Sequence, residues 1–123
     1  MAEAWANHFG KDQVQAFSAG THPIGIVVAD TVEAMDEKGI SLYGKRSKGL
    51  RDVPVAEMDF LVVMGLDVPC EAPAGFKGRK IEWGVPDPYS RGMDTFRNVR
   101  DMIERHVLAL LAEVVEPPNP PEV

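Results

Sequence analysis

Asp87 stands between Pro86 and Pro88 in the run Val85-Pro86-Asp87-Pro88-Tyr89. Each proline fixes its own φ and narrows the conformations of the residue before it, so the carboxylate sits on a stiff loop. A fixed carboxyl group with a raised pKa can protonate a departing oxygen. Asp and Pro are also ordinary turn formers, and an Asp that caps the following turn is the plain structural alternative. Tyr89, two residues on, could wall an aromatic substrate pocket.

Cys70 is the chain's one cysteine and the only thiol that could act as a nucleophile. A cysteine loop that cradles a phosphate needs an arginine six residues later to grip the oxyanion. Phe76 occupies that place, and Arg79 comes too late. Pro69 and Pro73 also interrupt any ring of inward-pointing N–H donors. Cys70 therefore reads as an ordinary small apolar side chain. Alone it cannot run a thiol relay, which needs a resolving partner. His8, His22 and His106 are scattered without metal-ligand spacing, so no metal site is expected. Lys45, Arg46 and Lys48 form a small basic cluster, expected to be a solvated face. Glu113, Glu116 and Glu122 are expected to be surface charge. There is no glycine-rich phosphate motif.

The elements that must carry these residues follow from the apolar spacing. Met1, Ala4, Trp5 and Phe9 share a helical face that Gly10 would close. Residues 13–19 suit a short strand. Residues 26–38 carry Val28, Val32 and Met35 at helical spacing and end at Gly39. Ser47 and Asp52 are candidate caps for two short turns, the second running through Glu57. Residues 60–64 (FLVVM) read as a strand buried on both faces, and residues 80–83 as another strand. Phe96, Val99, Ile103, Leu110 and Val114 make one stripe of a long helix, widened by Met102, Val107 and Leu111. Residues 116–123 hold four prolines and are expected to form an extended, disordered tail after a single domain at residues 1–115. The expected architecture is an α/β sandwich of three layers around a small, mostly parallel sheet. In such folds the site lies beyond the carboxyl ends of the strands, where the Asp87 loop falls.

Composition narrows the partners. The chain has 123 residues, 45% of them hydrophobic and 26% charged, which suits one domain with its own core. A net charge of -6 argues against nucleic acid as a partner. No apolar run reaches the ~18 residues of a membrane span, and no signal peptide is visible. With a lone cysteine, the expected setting is reducing and cytoplasmic.

Six stretches, in order, resemble the low-molecular-weight protein tyrosine phosphatases and the thioredoxin-linked arsenate reductases related to them. Met1-Ala2-Glu3-Ala4 is similar to the helix after that family's phosphate loop. Phe17-Ser18-Ala19-Gly20-Thr21 is similar to its second strand and the turn beyond. Gly39-Ile40-Ser41-Leu42 through Arg46-Ser47-Lys48 matches its Gly-Ile-x-Leu…Arg-Ser-Lys segment. Asp59 with residues 60–64 matches its third strand. Trp83-Gly84-Val85-Pro86-Asp87-Pro88 matches its general-acid loop, and residues 96–111 its closing helix.

The resemblance implies attack on a phosphomonoester by a cysteine thiolate, with no metal or organic cofactor. It implies that Asp87 is the general acid, Tyr89 a pocket wall, and Ser18 a support for the phosphate loop from behind. The implied partner is a phosphotyrosine protein or a small oxyanion such as phosphate or arsenate, with thioredoxin added for a reductase. Residues 1–123 contain neither the family's first strand nor its Cys-x5-Arg loop. The expectation is a chain truncated at an internal methionine, with no nucleophile and no phosphatase activity as it stands. An arsenate reductase of the same fold is the alternative, with Gly65 standing where a relay cysteine would be. Another is a non-catalytic binding or regulatory relative, completing its sheet by strand exchange in a homodimer. Trp83-Gly84 leans toward the reductases; Asp87-Pro88-Tyr89 leans toward the phosphatases, although Ser90 stands where a second aromatic often follows.

Overall fold

A computed structural model describes residues 1–20, 27–46, 48–64 and 75–114 of the chain. Three helices, α1 (Ala2–Gly10), α2 (Ala29–Asp36) and α3 (Met93–Val114), accompany two strands, β1 (Phe60–Met64) and β2 (Arg79–Trp83). The strands pair in parallel, with Phe60 opposite Arg79 and Met64 opposite Trp83. Their carboxyl ends therefore finish level. This is the expected α/β class with a parallel sheet, reduced among the described residues to two strands.

The long helix organises the core. Phe96, Val99, Ile103 and Val107 recur at helical spacing along α3 and are all buried, while Met102, Leu110 and Leu111 pack at the margins. Trp5 of α1, Met35 of α2, and Trp83 and Val85 from the end of β2 form one core cluster with Val99, Ile103 and Val107, joined by Ile40 and Leu42. Large side chains of this kind stabilise by roughly 1.5–3 kcal/mol each on burial. The fold is thus a set of elements held onto α3.

Helix α2 is shorter than its apolar spacing predicts. Its end is a Schellman motif: the Ile40 N–H donates to the Met35 carbonyl at 3.1 Å and the Gly39 N–H to the Asp36 carbonyl at 2.9 Å. Gly39 takes φ 75°, a conformation that favours glycine. Gly10 ends α1 for another reason: a Cβ there would collide with the Val14 side chain, so the chain turns back tightly against the helix.

Four expectations are corrected. Residues 14–19 run extended, but they do not form a strand. Among the described residues no strand lies alongside to complete a ladder, and only Gly20 makes a parallel bridge, to Gly49. Side chains of α1 take the place of a neighbour. The Asn7 amide both accepts from the Ala16 N–H at 2.9 Å and donates to the Ala16 carbonyl at 3.0 Å. Strand β1 is not buried on both faces: Val63 is buried, but Met64, which points to the opposite face, is 37% exposed. Asp52 caps the turn that contains it, Leu50–Asp52, by accepting from the Gly49 N–H at 3.0 Å, and not the next turn, Val55–Glu57. Lys48 is not part of a solvated face. Its ammonium lies 3.2 Å from a Glu3 carboxylate oxygen, with both side chains largely covered; Lys45 and Arg46 are exposed as expected. His22, Ser47, Gly65, Cys70 and the tail at 116–123 lie outside the described residues.

Candidate active site

Asp87 reaches the carboxyl edge of the sheet through an alternation that begins at the end of β2. Trp83 and Val85 point into the core, and Gly84 between them is exposed. The Val85 N–H donates to the Trp83 carbonyl at 2.9 Å, which turns the chain sharply. Asp87 is exposed, and its Oδ1 accepts from the Tyr89 N–H at 3.0 Å. The Arg91 N–H closes the next turn on the Pro88 carbonyl at 3.0 Å. Gly92, at φ 89°, then starts α3 by accepting from the Phe96 N–H at 3.3 Å. The loop is therefore anchored by Trp83 and Val85 on one side and Phe96 on the other, with Asp87 near its crest.

The capping reading of Asp87 holds in this geometry. One carboxylate oxygen does cap the turn. The other receives no hydrogen bond from any described residue, so it can face a substrate while the first oxygen fixes the side chain. Such a split suits a proton donor, whose position must be set without using both oxygens. Tyr89 is 63% exposed beside it, with its backbone held and its ring free to border a ligand.

Ser18 lies on the extended segment after α1 and is exposed. Its backbone N–H donates to Glu3 Oε1 at 3.1 Å, the same oxygen that receives Lys48. The Lys48 carbonyl in turn accepts from the Gly20 N–H at 2.7 Å. Glu3 thus joins α1, the Ser18 segment and the Lys48 turn. Among the described residues, no hydrogen bond or ion pair connects Ser18 with Asp87 or Tyr89. The three predicted residues are placed separately, not brought into one contacting group.

The sequence reading missed three arrangements. Glu3 and Asn7 fall on the polar side of an ordinary amphipathic pattern, and nothing in their spacing marks them as holding residues 14–20. Arg100 lies inside the apolar stripe of α3 and is 5% exposed. Its guanidinium donates to the Ala34 carbonyl (2.9 Å), Glu37 (2.7 Å) and Asp101 (2.8 Å). Hydrogen bonds from Arg97 and then Arg100 hold the Glu37 carboxyl down to about 2. A basic residue at a core position was the available signal, since buried cations are rare unless paired. His106 stacks on Trp83, with ring centroids 4.9 Å apart and planes 19° from parallel.

An open recess of ≈ 570 Å³ is lined by Leu50, Arg51, Val53, Pro54, Val55, Ala56 and Glu57, and shares no residue with the Asp87 loop. Among the described residues no group of three His, Cys, Asp or Glu side chains could hold a metal ion, and no helix is long and apolar enough to cross a membrane.

Several known proteins are similar to this chain. An arsenate reductase of Bacillus cereus is 29% identical over 109 residues, covering 87% of this chain and 80% of that protein. A putative arsenate reductase of Halobacterium salinarum is 29% identical over 103 residues, covering 84% of this chain and 71% of that protein. A glutaredoxin arsenate reductase of Synechocystis is 25% identical, covering 93% and 87%. Among solved structures, an arsenate reductase in a phosphate-binding state superposes with TM-score 0.78 at 23% identity, over 92% of this chain and 86% of that one. The arsenate reductase of Archaeoglobus fulgidus gives 0.73 at 22% identity, over 90% and 87%. These superpositions show the shared fold. The model of the low molecular weight phosphotyrosine protein phosphatase family matches residues 1–118, and the chain belongs to that family.

Proposed function

We propose that this domain serves the arsenate-reductase side of its family, acting on a small tetrahedral oxyanion, and that Asp87 supplies the proton to the departing oxygen. The observation that carries the choice of arsenate is the character of its relatives: proteins 25–29% identical over 84–93% of the chain are arsenate reductases. The geometry supports the acid role, with a carboxylate on a twice-anchored loop at the carboxyl edge of the sheet and one oxygen free of described partners. On the family resemblance we also assign Tyr89 to the border of the oxyanion site and Ser18 to the support of its phosphate loop.

Arsenate becomes arsenite by gaining two electrons, which two thiols supply when they form a disulfide. Cys70 is the only cysteine in residues 1–123 and lacks an arginine six residues on. These residues thus carry the scaffold and the acid loop, and the thiolate with its arginine cradle must be joined to them for turnover. A thiol-bearing partner of the thioredoxin or glutaredoxin kind fits this chemistry, as the name of the Synechocystis relative suggests.

A second reading, phosphotyrosine hydrolysis, is favoured by Asp87-Pro88-Tyr89 and the exposed Tyr89 ring. One experiment separates the two. Residues 1–123 are joined to a strand and Cys-x5-Arg loop of the family's kind, then assayed for arsenate reduction with reduced thioredoxin and for p-nitrophenyl phosphate hydrolysis. Arsenate reduction that falls ~10²–10⁴-fold in Asp87→Asn supports the proposal. Hydrolysis without arsenate reduction would favour the phosphatase, and indifference to Asp87→Asn would remove the acid assignment.

A further inference from the structure

We propose that His106 is a positioning residue for the Asp87 loop, acting through Trp83. The loop has its origin at Trp83, the last residue of β2, and the His106 ring stacks on Trp83, 4.9 Å away and 19° from parallel. A second anchor of the loop belongs to the same unit. Val85 is buried two residues on, and its N–H is tied back to the Trp83 carbonyl, so a shift of the indole carries the first turn of the loop with it.

Trp83 sits in the core cluster with Ile103 and Val107 of α3. The stacked His106 ring adds an orientation preference to that packing, because offset aromatic pairs have a preferred separation and tilt. One further contact on the same face joins β2 to α3. Arg79 Nη1 meets Glu113 Oε1 at 2.7 Å, so Arg79 and Trp83, both on one side of the strand, face Glu113 and His106. That outer ion pair is exposed and weak, which leaves the stack as the firmer of the two ties. Among the described residues no hydrogen bond joins His106 to Asp87; its effect is on where the loop begins.

The consequence for chemistry rests on the reading of Asp87 as the acid, but the test does not. Amide hydrogen exchange is measured at Val85, Tyr89 and Arg91, whose N–H groups make the three bonds of the loop, and at Val99 and Ile103 as reference. In His106→Ala the loop amides are expected to exchange roughly three- to tenfold faster, the factor an aromatic pair is worth, with the α3 amides unchanged. His106→Phe, which restores a flat ring, is expected to return the loop to the wild-type rate. Equal acceleration at loop and α3 amides would reduce His106 to a general stabiliser and overturn the proposal, as would unchanged loop exchange or failure of rescue by Phe. Should His106→Ala not fold, the wild-type protein still decides: an upfield ring-current shift of the His106 ring protons supports the stack, and ordinary histidine shifts overturn it. Because no turnover is measured, failure of the acid assignment for Asp87 leaves this result intact, and failure here leaves that assignment intact.

Discussion

Replacing Asn7 with alanine removes both hydrogen bonds that hold Ala16, the 2.9 Å bond to its N–H and the 3.0 Å bond to its carbonyl. Each such bond contributes about 0.5–1.5 kcal/mol net. The two together are worth ~1–3 kcal/mol, toward the lower half because both residues are only partly buried and water can replace part of what is lost. Alanine also favours the helix interior over asparagine by up to ~0.7 kcal/mol, which offsets some of the loss. The expected net destabilisation is about 0.3–2 kcal/mol, or a fall in Tm of roughly 1–8 °C for a chain of this size. Urea denaturation followed by circular dichroism reads the global change, and exchange at the Ala16 amide reads the local one. Asn7→Asp, which keeps an acceptor but loses the donor, should fall between wild type and Asn7→Ala. A variant as stable as wild type, with unchanged exchange at Ala16, would refute the idea that α1 side chains replace a neighbouring strand for residues 14–19.

Three further outcomes follow from the charged contacts. Glu37 is held at about 2 by Arg97 and Arg100, below its ordinary value of 4.5, so its contribution is fully present above pH 4.5 and is lost as pH falls toward 2. Glu37→Gln should therefore flatten the acid limb of a stability-against-pH curve between those values; an unchanged limb would contradict the pairing. Arg100→Met should cost about 2 kcal/mol in urea denaturation, because it strips hydrogen bonds from the Ala34 carbonyl, Glu37 and Asp101 while filling the same space. Arg79→Ala, by contrast, breaks an ion pair whose two side chains are more than half exposed, and should change stability by less than ~1 kcal/mol.

The parts of the fold that were legible are those governed by local periodicity. The stripe of α3, the pairing of an apolar run with a second short strand, and the stop at Gly39 all follow from side-chain spacing and backbone freedom. The placement of Asp87 at the strand ends followed from the order of elements. Illegible parts depend on contacts between distant residues. Residues 14–19 have strand composition, but a strand needs a neighbour, and Asn7 and Glu3 replace one through side-chain contacts that no periodic pattern announces. Lys48 looked like one of three solvated cations until Glu3, 45 positions earlier, was placed beside it. Arg100 broke the apolar stripe without revealing that three acceptors surround it. The site was legible in the same partial way: the stiffness of the Asp87 loop could be read from its prolines, while the capping bond to Tyr89 and the His106 stack required the tertiary structure.

The most direct test of the account is turnover by residues 1–123 alone, with arsenate and reduced thioredoxin in one assay and p-nitrophenyl phosphate in the other. On the proposed function these residues supply a scaffold and an acid but no thiolate held in an arginine-bearing cradle. No arsenite and no p-nitrophenol should form above the protein-free control. Arsenite or p-nitrophenol formation that disappears in Cys70→Ser would contradict it, because the nucleophile would then lie within these residues.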